Sequence, residues 1–237
     1  MAEPRPLIRL SPSAAAKEKR LATLLGGRDP SSLDLVEAVR DAQVLGSLEL
    51  AGETSTIEDV RAAHGGEPSS AAAAGLMRAF GAVDPVSPLT VPALLAWHRD
   101  LGLGAGFRTR ERPRAQGPPP APVDFIASRL AILQEWLSVE SSRELKPAQA
   151  GALAMARILE ILPFEAGNGR VARLAASHLM VRAGARPPVL VGADAPRIES
   201  AVGAAFQLAT EPLTTLLEEA SERALDVMIQ VLDDSAR

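Results

Sequence analysis

Apolar residues recur at helical spacing over most of the chain, whereas the alternating patterns typical of strands are almost absent. Alanine and leucine dominate these repeats, and proline or glycine separates one repeat from the next. We therefore predict an all-α protein. The pattern predicts helices over about 13–25, 31–50, 56–64, 69–80, 90–101, 124–139, 147–162, 169–182, 196–208 and 212–232.

Two of these segments differ in how their apolar residues are arranged. The segment 147–162 is apolar nearly all round, which predicts a buried central helix. The segment 212–232 carries a regular apolar stripe along one face. We expect that stripe to pack on its own domain, and the alternative is a seam in a homodimer or a heteromer.

The segment 103–123 interrupts the helical pattern. It is rich in proline and glycine and contains the run Arg108-Thr109-Arg110-Glu111-Arg112-Pro113-Arg114. A loop of this length in a compact domain is usually functional or disordered. The sequence leaves two interpretations open, a functional loop and a solvated basic loop.

Composition excludes several classes of function. With a net charge of −4 and only 3% aromatic residues, the chain has neither the basic surface nor the stacking platforms of a nucleic-acid-binding protein. The lack of cysteine excludes disulfides, zinc–thiolate sites and cysteine nucleophiles. The first ten residues do not resemble a signal peptide, and no apolar run is long enough to span a membrane. We expect a cytoplasmic protein that binds neither membranes nor nucleic acid.

The stretch 162–173, Leu-Pro-Phe-Glu-Ala-Gly-Asn-Gly-Arg-Val-Ala-Arg, is the strongest candidate site. An apolar helix ends, a turn with two glycines follows, and a helix with two arginines in its first turns begins. Free backbone N–H groups at such a helix start favour the binding of phosphate or another anion. The alternative is a polar turn with solvated arginines. The candidate ligand-binding residues are Gly167, Asn168, Gly169, Arg170 and Arg173.

The same stretch resembles the signature of Fic (Fido-fold) proteins, HPFx[DE]GNGRxxR. The resemblance implies a helical Fic core with a flap loop or short hairpin, here over 31–235, after an N-terminal lead and short helix at 1–30. Two positions depart from the signature. Leu162 stands where the family has its catalytic histidine, and Ala166 stands where the family has its metal-binding acid.

Two further segments extend the resemblance. The segment 33–52 is similar to the family's inhibitory helix, [ST]xxxE[GN], whose glutamate pairs with the second arginine of the signature. Ser47 and Gly52 match that pattern, but the glutamate position is Ala51. The segment 103–123 is similar to the flap, which pins an extended target by strand addition. Pro113 and its flanking arginines replace the usual apolar residues there, which argues against such docking.

The three substitutions suggest a degenerate Fic protein that lacks AMP-transferase activity, keeps the anion-binding loop and acts by binding or regulation. A protein partner or a homodimer would then mediate its effect. The alternative is an active transferase with histidine-independent chemistry on a phosphate- or pyrophosphate-containing donor. We expect no metal site and no need for Mg²⁺, and the ligand would be a nucleotide or another phosphate compound. Glu160 and Glu165 are the acids that could substitute as a base, although neither is well placed by its spacing.

The remaining histidines and tryptophans have structural explanations. His178 lies on an apolar stripe, which favours a core histidine. His98 and His64 lie near helix C-termini, where contact with the helix dipole or with solvent is the expected role. Trp97 and Trp136 lie on apolar stripes, so we expect both to pack between helices.

Overall fold

The computed structural model describes residues 10–27, 34–64, 70–114, 117–138 and 144–235, and those ranges contain ten α-helices and no strand. The all-α prediction is confirmed. The helices are α1 (Pro12–Leu25), α2 (Leu35–Glu49), α3 (Ile57–His64), α4 (Ala71–Gly81), α5 (Val91–Asp100), α6 (Ile126–Ser138), α7 (Pro147–Ile161), α8 (Asn168–Arg182), α9 (Ala195–Ala205) and α10 (Glu211–Ser235). Two short 3₁₀ helices cover Val123–Phe125 and Gly192–Asp194.

Helix α7 lies at the centre of the molecule, where it contacts α6, α8, α9 and α10. Its interface with α8 is built largely from small residues, which allow two helix backbones to approach closely. A Cβ added to Gly151 would lie 3.3 Å from the carbonyl oxygen of Ala176 on α8. This close pairing fixes the position of the loop that joins the two helices. The buried alanines of the pair are Ala148, Ala152, Ala154, Ala156, Ala172, Ala175 and Ala176.

A second apolar cluster joins α1 and the start of α2 to α10. Leu21 from α1, Leu35 from α2 and Leu225 from α10 are all buried in it. Helix α10 also contacts α7 and α9, and its apolar stripe is therefore covered by its own chain. This agrees with the expected packing of the C-terminal helix on its own domain.

Most helix bounds agree with the sequence pattern to within a few residues. Trp136 was expected to pack between helices, but its residue remains 38% exposed on α6, so that expectation is wrong. Ile132, one turn earlier on the same face of α6, is exposed as well, so this face lies towards solvent. The start of the second helix at 31–33, the stop at 65–66 and most of the N-terminal lead lie outside the described residues.

No helix within the described ranges is both long enough and apolar enough to cross a membrane. Across the same ranges, no three histidine, aspartate or glutamate side chains gather into a group that could hold a metal ion.

Gly46 allows the chain after α8 to lie directly against α2. A Cβ at this position would lie 1.7 Å from the carbonyl oxygen of Leu190, a backbone atom that cannot rotate away. We expect Gly46→Ala to lower the free energy of unfolding by about 1–3 kcal/mol or more. Gly203→Ala is the matched control, because nothing lies within 4 Å of that position on α9. It should raise stability by about 0.5–1 kcal/mol, and urea denaturation followed by circular dichroism measures both. If Gly46→Ala and Gly203→Ala changed the free energy of unfolding equally, the close approach of Leu190 to Gly46 would be contradicted.

Candidate anion-binding site

The end of α7 adopts an unusual backbone conformation. Leu162 has φ 49° and ψ 63°, in the left-handed region, and its N–H donates to the carbonyl oxygen of Ile158. A leucine in this region is uncommon, because its Cβ crowds the following carbonyl. The turn therefore stores backbone strain at the position where the resemblance places the catalytic histidine.

Asn168 holds the loop closed from inside. Its Oδ1 accepts the N–H of Phe164 at 2.9 Å, and its Nδ2 donates to the carbonyl oxygen of Phe164 at 2.8 Å. Phe164 itself is fully buried. One donor of Nδ2 and one lone pair of Oδ1 are therefore used within the loop, which fixes the orientation of the Asn168 side chain.

Gly167 turns the chain into α8 and leaves the first amides of that helix open. It has φ 75°, and a Cβ there would lie 2.3 Å from Cδ1 of Leu103. The first intrahelical bond is from the N–H of Val171 to the carbonyl of Gly167. The N–H groups of Asn168, Gly169 and Arg170 precede that bond and therefore have no partner within the helix. Gly167, the N-cap residue, has no side chain that could accept from them. This open helix start is the geometry on which the prediction of anion binding depends.

Arg173 is buried and carries its charge without a carboxylate partner in the described part of the chain. Its Nε donates to Oγ of Ser47 at 3.2 Å, and its Nη2 donates to the carbonyl oxygen and Oγ of Ser47 at 3.1 and 2.9 Å. Burial, with a smaller contribution from the neighbouring charge of Arg170, lowers the pKa of Arg173 to about 10. The guanidinium remains charged at neutral pH, so the site has excess positive charge.

Arg170 has a different partner, which the sequence analysis missed. Its Nη2 donates to Oε1 of Glu53, and its side chain is 12% exposed against 38% for Glu53. Glu53 lies two residues after Ala51, the position that the resemblance aligns with an inhibitory glutamate. No spacing along the chain indicates this contact, which only the three-dimensional structure reveals.

Arg108 joins the flap segment to the end of α7. Its Nε donates to the carbonyl oxygen of Leu162 at 2.7 Å and its Nη1 to that of Arg110 at 2.8 Å, while Nη2 donates to that of Ala121. Its own N–H donates to the carbonyl of Pro163 at 2.9 Å. The side chain is completely buried, so the interpretation of a solvated basic loop is wrong for this residue.

Two more arginines of the flap bind carbonyl groups near the same helix end. Arg112 donates to the carbonyl of Glu165, and Arg114 donates to the carbonyls of Leu159 and Glu160. The last carbonyls of a helix lack intrahelical partners and favour positive charge. Burial lowers the pKa of Arg114, and the charge of Glu160 partly opposes that effect. Arg114 thus caps α7, whereas Arg110 and Arg112 of the same run are exposed.

His98 contacts both the signature loop and the segment that follows α5. Its Nδ1 lies 3.0 Å from the carbonyl oxygen of Gly104, and its Nε2 lies 3.1 Å from that of Ala166. Its ring stacks on Phe164 with centroids 4.0 Å apart. A dipole contact or a solvated side chain was expected, and that expectation is wrong because His98 is buried. His178 is a buried core histidine as expected, with Nε2 3.0 Å from the carbonyl of Ser87.

The two acids considered as substitute bases are engaged elsewhere. The carboxylate of Glu160 pairs with Arg157, one turn earlier on α7. Oε1 of Glu165 accepts the N–H of Thr109 at 3.3 Å. Neither carboxylate bonds to Arg170 or Arg173.

Comparison with known proteins identifies the domain that contains this loop. A model of the Fic/DOC family matches residues 88–180, from the start of α5 through most of α8. Those residues are therefore similar to a Fic/DOC domain. The resemblance inferred from the signature loop is confirmed at this level.

Curated relatives of the Fic domain include the protein adenylyltransferase Fic of Drosophila willistoni, at 28% identity over 152 residues, and that of Drosophila mojavensis, at 32% over 142 residues. These matches cover 62% and 58% of this chain, but only 30% and 27% of the relatives. The chain therefore corresponds to less than one third of the length of these proteins.

Solved structures share the fold. A Fic-domain signalling protein from Bacteroides thetaiotaomicron superimposes with a TM-score of 0.75 at 21% identity, covering 94% of this chain and 97% of that one. A fragment of Fic-1 from C. elegans gives 0.73 at 19% identity, covering 94% of this chain and 72% of that one. The predicted Fic fold is confirmed.

The strained turn at Leu162 gives a test of the site's backbone. Glycine adopts the left-handed conformation without penalty, whereas alanine retains the steric cost. We expect Leu162→Gly to be more stable than Leu162→Ala by about 1 kcal/mol. At Ala156, inside α7, the order should reverse, with glycine less stable by about 1 kcal/mol. Chemical denaturation of the unmodified chain, Leu162→Gly, Leu162→Ala and Ala156→Gly measures these differences in the free energy of unfolding. An alanine variant at 162 as stable as the glycine variant would show that the turn is relaxed.

Proposed function

We propose that this Fic-domain protein binds a phosphate-containing ligand at the start of α8 and does not transfer AMP. It would act as a regulator through that binding, on a protein partner or within a homodimer. The observation that carries the proposal is the guanidinium of Arg173, which is buried and charged but has no carboxylate partner among the described residues.

Three sources of positive potential lie at the start of α8: the guanidinium of Arg173, that of Arg170 and the open amides of the helix. A buried cation is costly unless a counter-charge accompanies it. The open amides at the start of α8 add the positive end of the helix dipole. The lowered pKa of Arg173 reflects its burial and the nearby charge of Arg170. A phosphate group supplies the charge and the acceptor oxygens that this arrangement lacks.

The groups needed for adenylyl transfer are missing from the same loop. The relatives are named adenylyltransferases, and the signature places their base and metal ligand at positions 162 and 166. Leu162 cannot take a proton, and a general base typically contributes about 10²–10⁴-fold to rate. Ala166 has no oxygen for Mg²⁺, which stabilises the charge that develops in phosphoryl-type transfer. The engagement of Glu160 and Glu165 elsewhere supports the same conclusion.

The ligand-binding half of the proposal is tested with inorganic pyrophosphate in Mg²⁺-free buffer. Calorimetry should detect binding to the unmodified chain, and Arg173→Gln should weaken it by about tenfold or more, because a charge-assisted bond is lost. Arg182→Gln, at the far end of α8, is the control and should bind normally. Circular dichroism shows whether Arg173→Gln is folded, and Arg170→Gln provides an independent weakening variant. In Glu53→Gln the carboxylate that pairs with Arg170 is removed. If neither the unmodified chain nor this variant binds pyrophosphate, the proposal is refuted.

The catalytic half of the proposal is tested by restoring the missing groups. Neither the unmodified chain nor Arg170→Gln should transfer AMP from ATP and Mg²⁺ to itself or to added protein, as measured with a labelled nucleotide. The double variant Leu162→His with Ala166→Asp restores the base and the metal ligand and is expected to label protein. Labelling by the unmodified chain that disappears in Arg170→Gln would instead indicate a transferase with altered chemistry.

A further inference from the structure

Helix α6 carries exposed apolar side chains on the side that points away from α7. Ile132 is 60% exposed and Trp136, one turn later, is 38% exposed. Phe125, two turns before Ile132, is 56% exposed, so the three side chains form one stripe. We call this stripe the outer face of α6. It holds three of the seven large apolar residues that are exposed within the described ranges, and such concentration is typical of an interaction surface.

The polar residues of the outer face are arranged symmetrically about Ile132. Arg129 and Glu135 lie three residues to either side of it and on opposite edges of the face. Across the described ranges neither side chain has an ion-pair partner. Ser128 and Trp136 lie four residues to either side, so a small side chain matches a large one. The face therefore pairs opposite properties at equal distances from its centre.

We propose that the outer face of α6 binds the same face of a second copy of this chain, with the two helices antiparallel about a two-fold axis at Ile132. This axis brings Arg129 level with Glu135 of the second copy, so opposite charges attract on both edges. It also brings Trp136 level with Ser128, which leaves room for the indole. A parallel pair would instead bring Arg129 level with a second Arg129.

This inference selects the homodimer from the two kinds of partner named in the proposed function. It stands whether or not the signature loop binds an anion, because none of the residues in the outer face contributes to that loop.

The outer face is nevertheless connected to the flap. Phe125 closely follows Ala121, whose carbonyl accepts a bond from Arg108, and Val123, whose N–H donates to Oε1 of Glu111 at 2.8 Å. A second copy that contacts Phe125 would therefore contact the segment to which the flap is attached. The pairing would hold two flaps, one from each copy, at the two ends of a single interface.

Sedimentation equilibrium of the full chain, without ligand and from micromolar to millimolar concentration, tests the association. Two helices of this length form a small interface, so we expect a dimer that dissociates on dilution. Ile132→Glu places two carboxylates at the axis and should raise the Kd at least about tenfold. Val36→Glu is the matched control, because Val36 is 54% exposed on α2. It should associate like the unmodified chain, and circular dichroism shows whether both variants are folded.

A charge exchange tests the antiparallel arrangement. Arg129→Glu and Glu135→Arg each replace two attractive contacts by two repulsive ones, and each should raise the Kd about tenfold. The two variants change the net charge in opposite directions, so net charge alone cannot weaken both. An equimolar mixture of the two variants restores opposite charges on both edges and should associate about as strongly as the unmodified chain.

Three results would overturn the pairing. An unmodified chain that stays monomeric throughout the series would leave the outer face to a different protein. Equal weakening by Ile132→Glu and Val36→Glu would place the interface elsewhere. A mixture of the two charge variants that associates no better than either alone would exclude the antiparallel arrangement. Pyrophosphate binding by Ile132→Glu should match that of the unmodified chain, so a failure of the anion site is measured separately from a failure of the pairing.

Discussion

The completely buried guanidinium of Arg108 connects the parts of this molecule that a ligand would meet. It binds the carbonyl at the strained end of α7, the carbonyl of Ala121 before α6, and a carbonyl within the flap. A planar group with five donors in a fixed geometry can satisfy several buried carbonyls together. Without it those carbonyls would lose their partners in a place that water does not reach easily, which is costly. The flap and the signature loop are thus one structural unit.

This unit changes how the flap can interact with other molecules. A strand-adding flap needs a row of free backbone groups along one edge. Here the flap backbone is drawn towards the loop, as shown by the bond from the N–H of Arg108 to Pro163. Arg112 donates to the carbonyl of Glu165 in the signature loop, and Arg114 donates to that of Leu159 near the end of α7. These bonds attach the flap segment to the site, although residues 109–113 remain exposed.

Local patterns in the sequence were enough to predict the helices and the two-glycine turn between α7 and α8, because each depends on residues close together in the chain. The partners of that turn were harder to predict. Glu53 lies 117 residues from Arg170, and Arg108 lies 54 residues from Leu162. No spacing rule links such pairs, and an arginine run looks the same whether it is solvated or buried. His98 was missed for a similar reason, since the carbonyl of Ala166 that it contacts comes from a segment distant in sequence.

Helix α2, like α10, contributes to both apolar clusters. Leu35 and Val39 near its start belong to the cluster with α1 and α10, whereas Val44 and Leu48 belong to the main core. Its 15 residues span about 22 Å at 1.5 Å per residue. The close contact between Gly46 and Leu190 holds the C-terminal end of this helix in place. Ser47, the partner of Arg173, is the next residue, and the turn to Glu53, the partner of Arg170, follows soon after. The backbone of Leu190, far away in the sequence, therefore helps to set where both arginines find their partners.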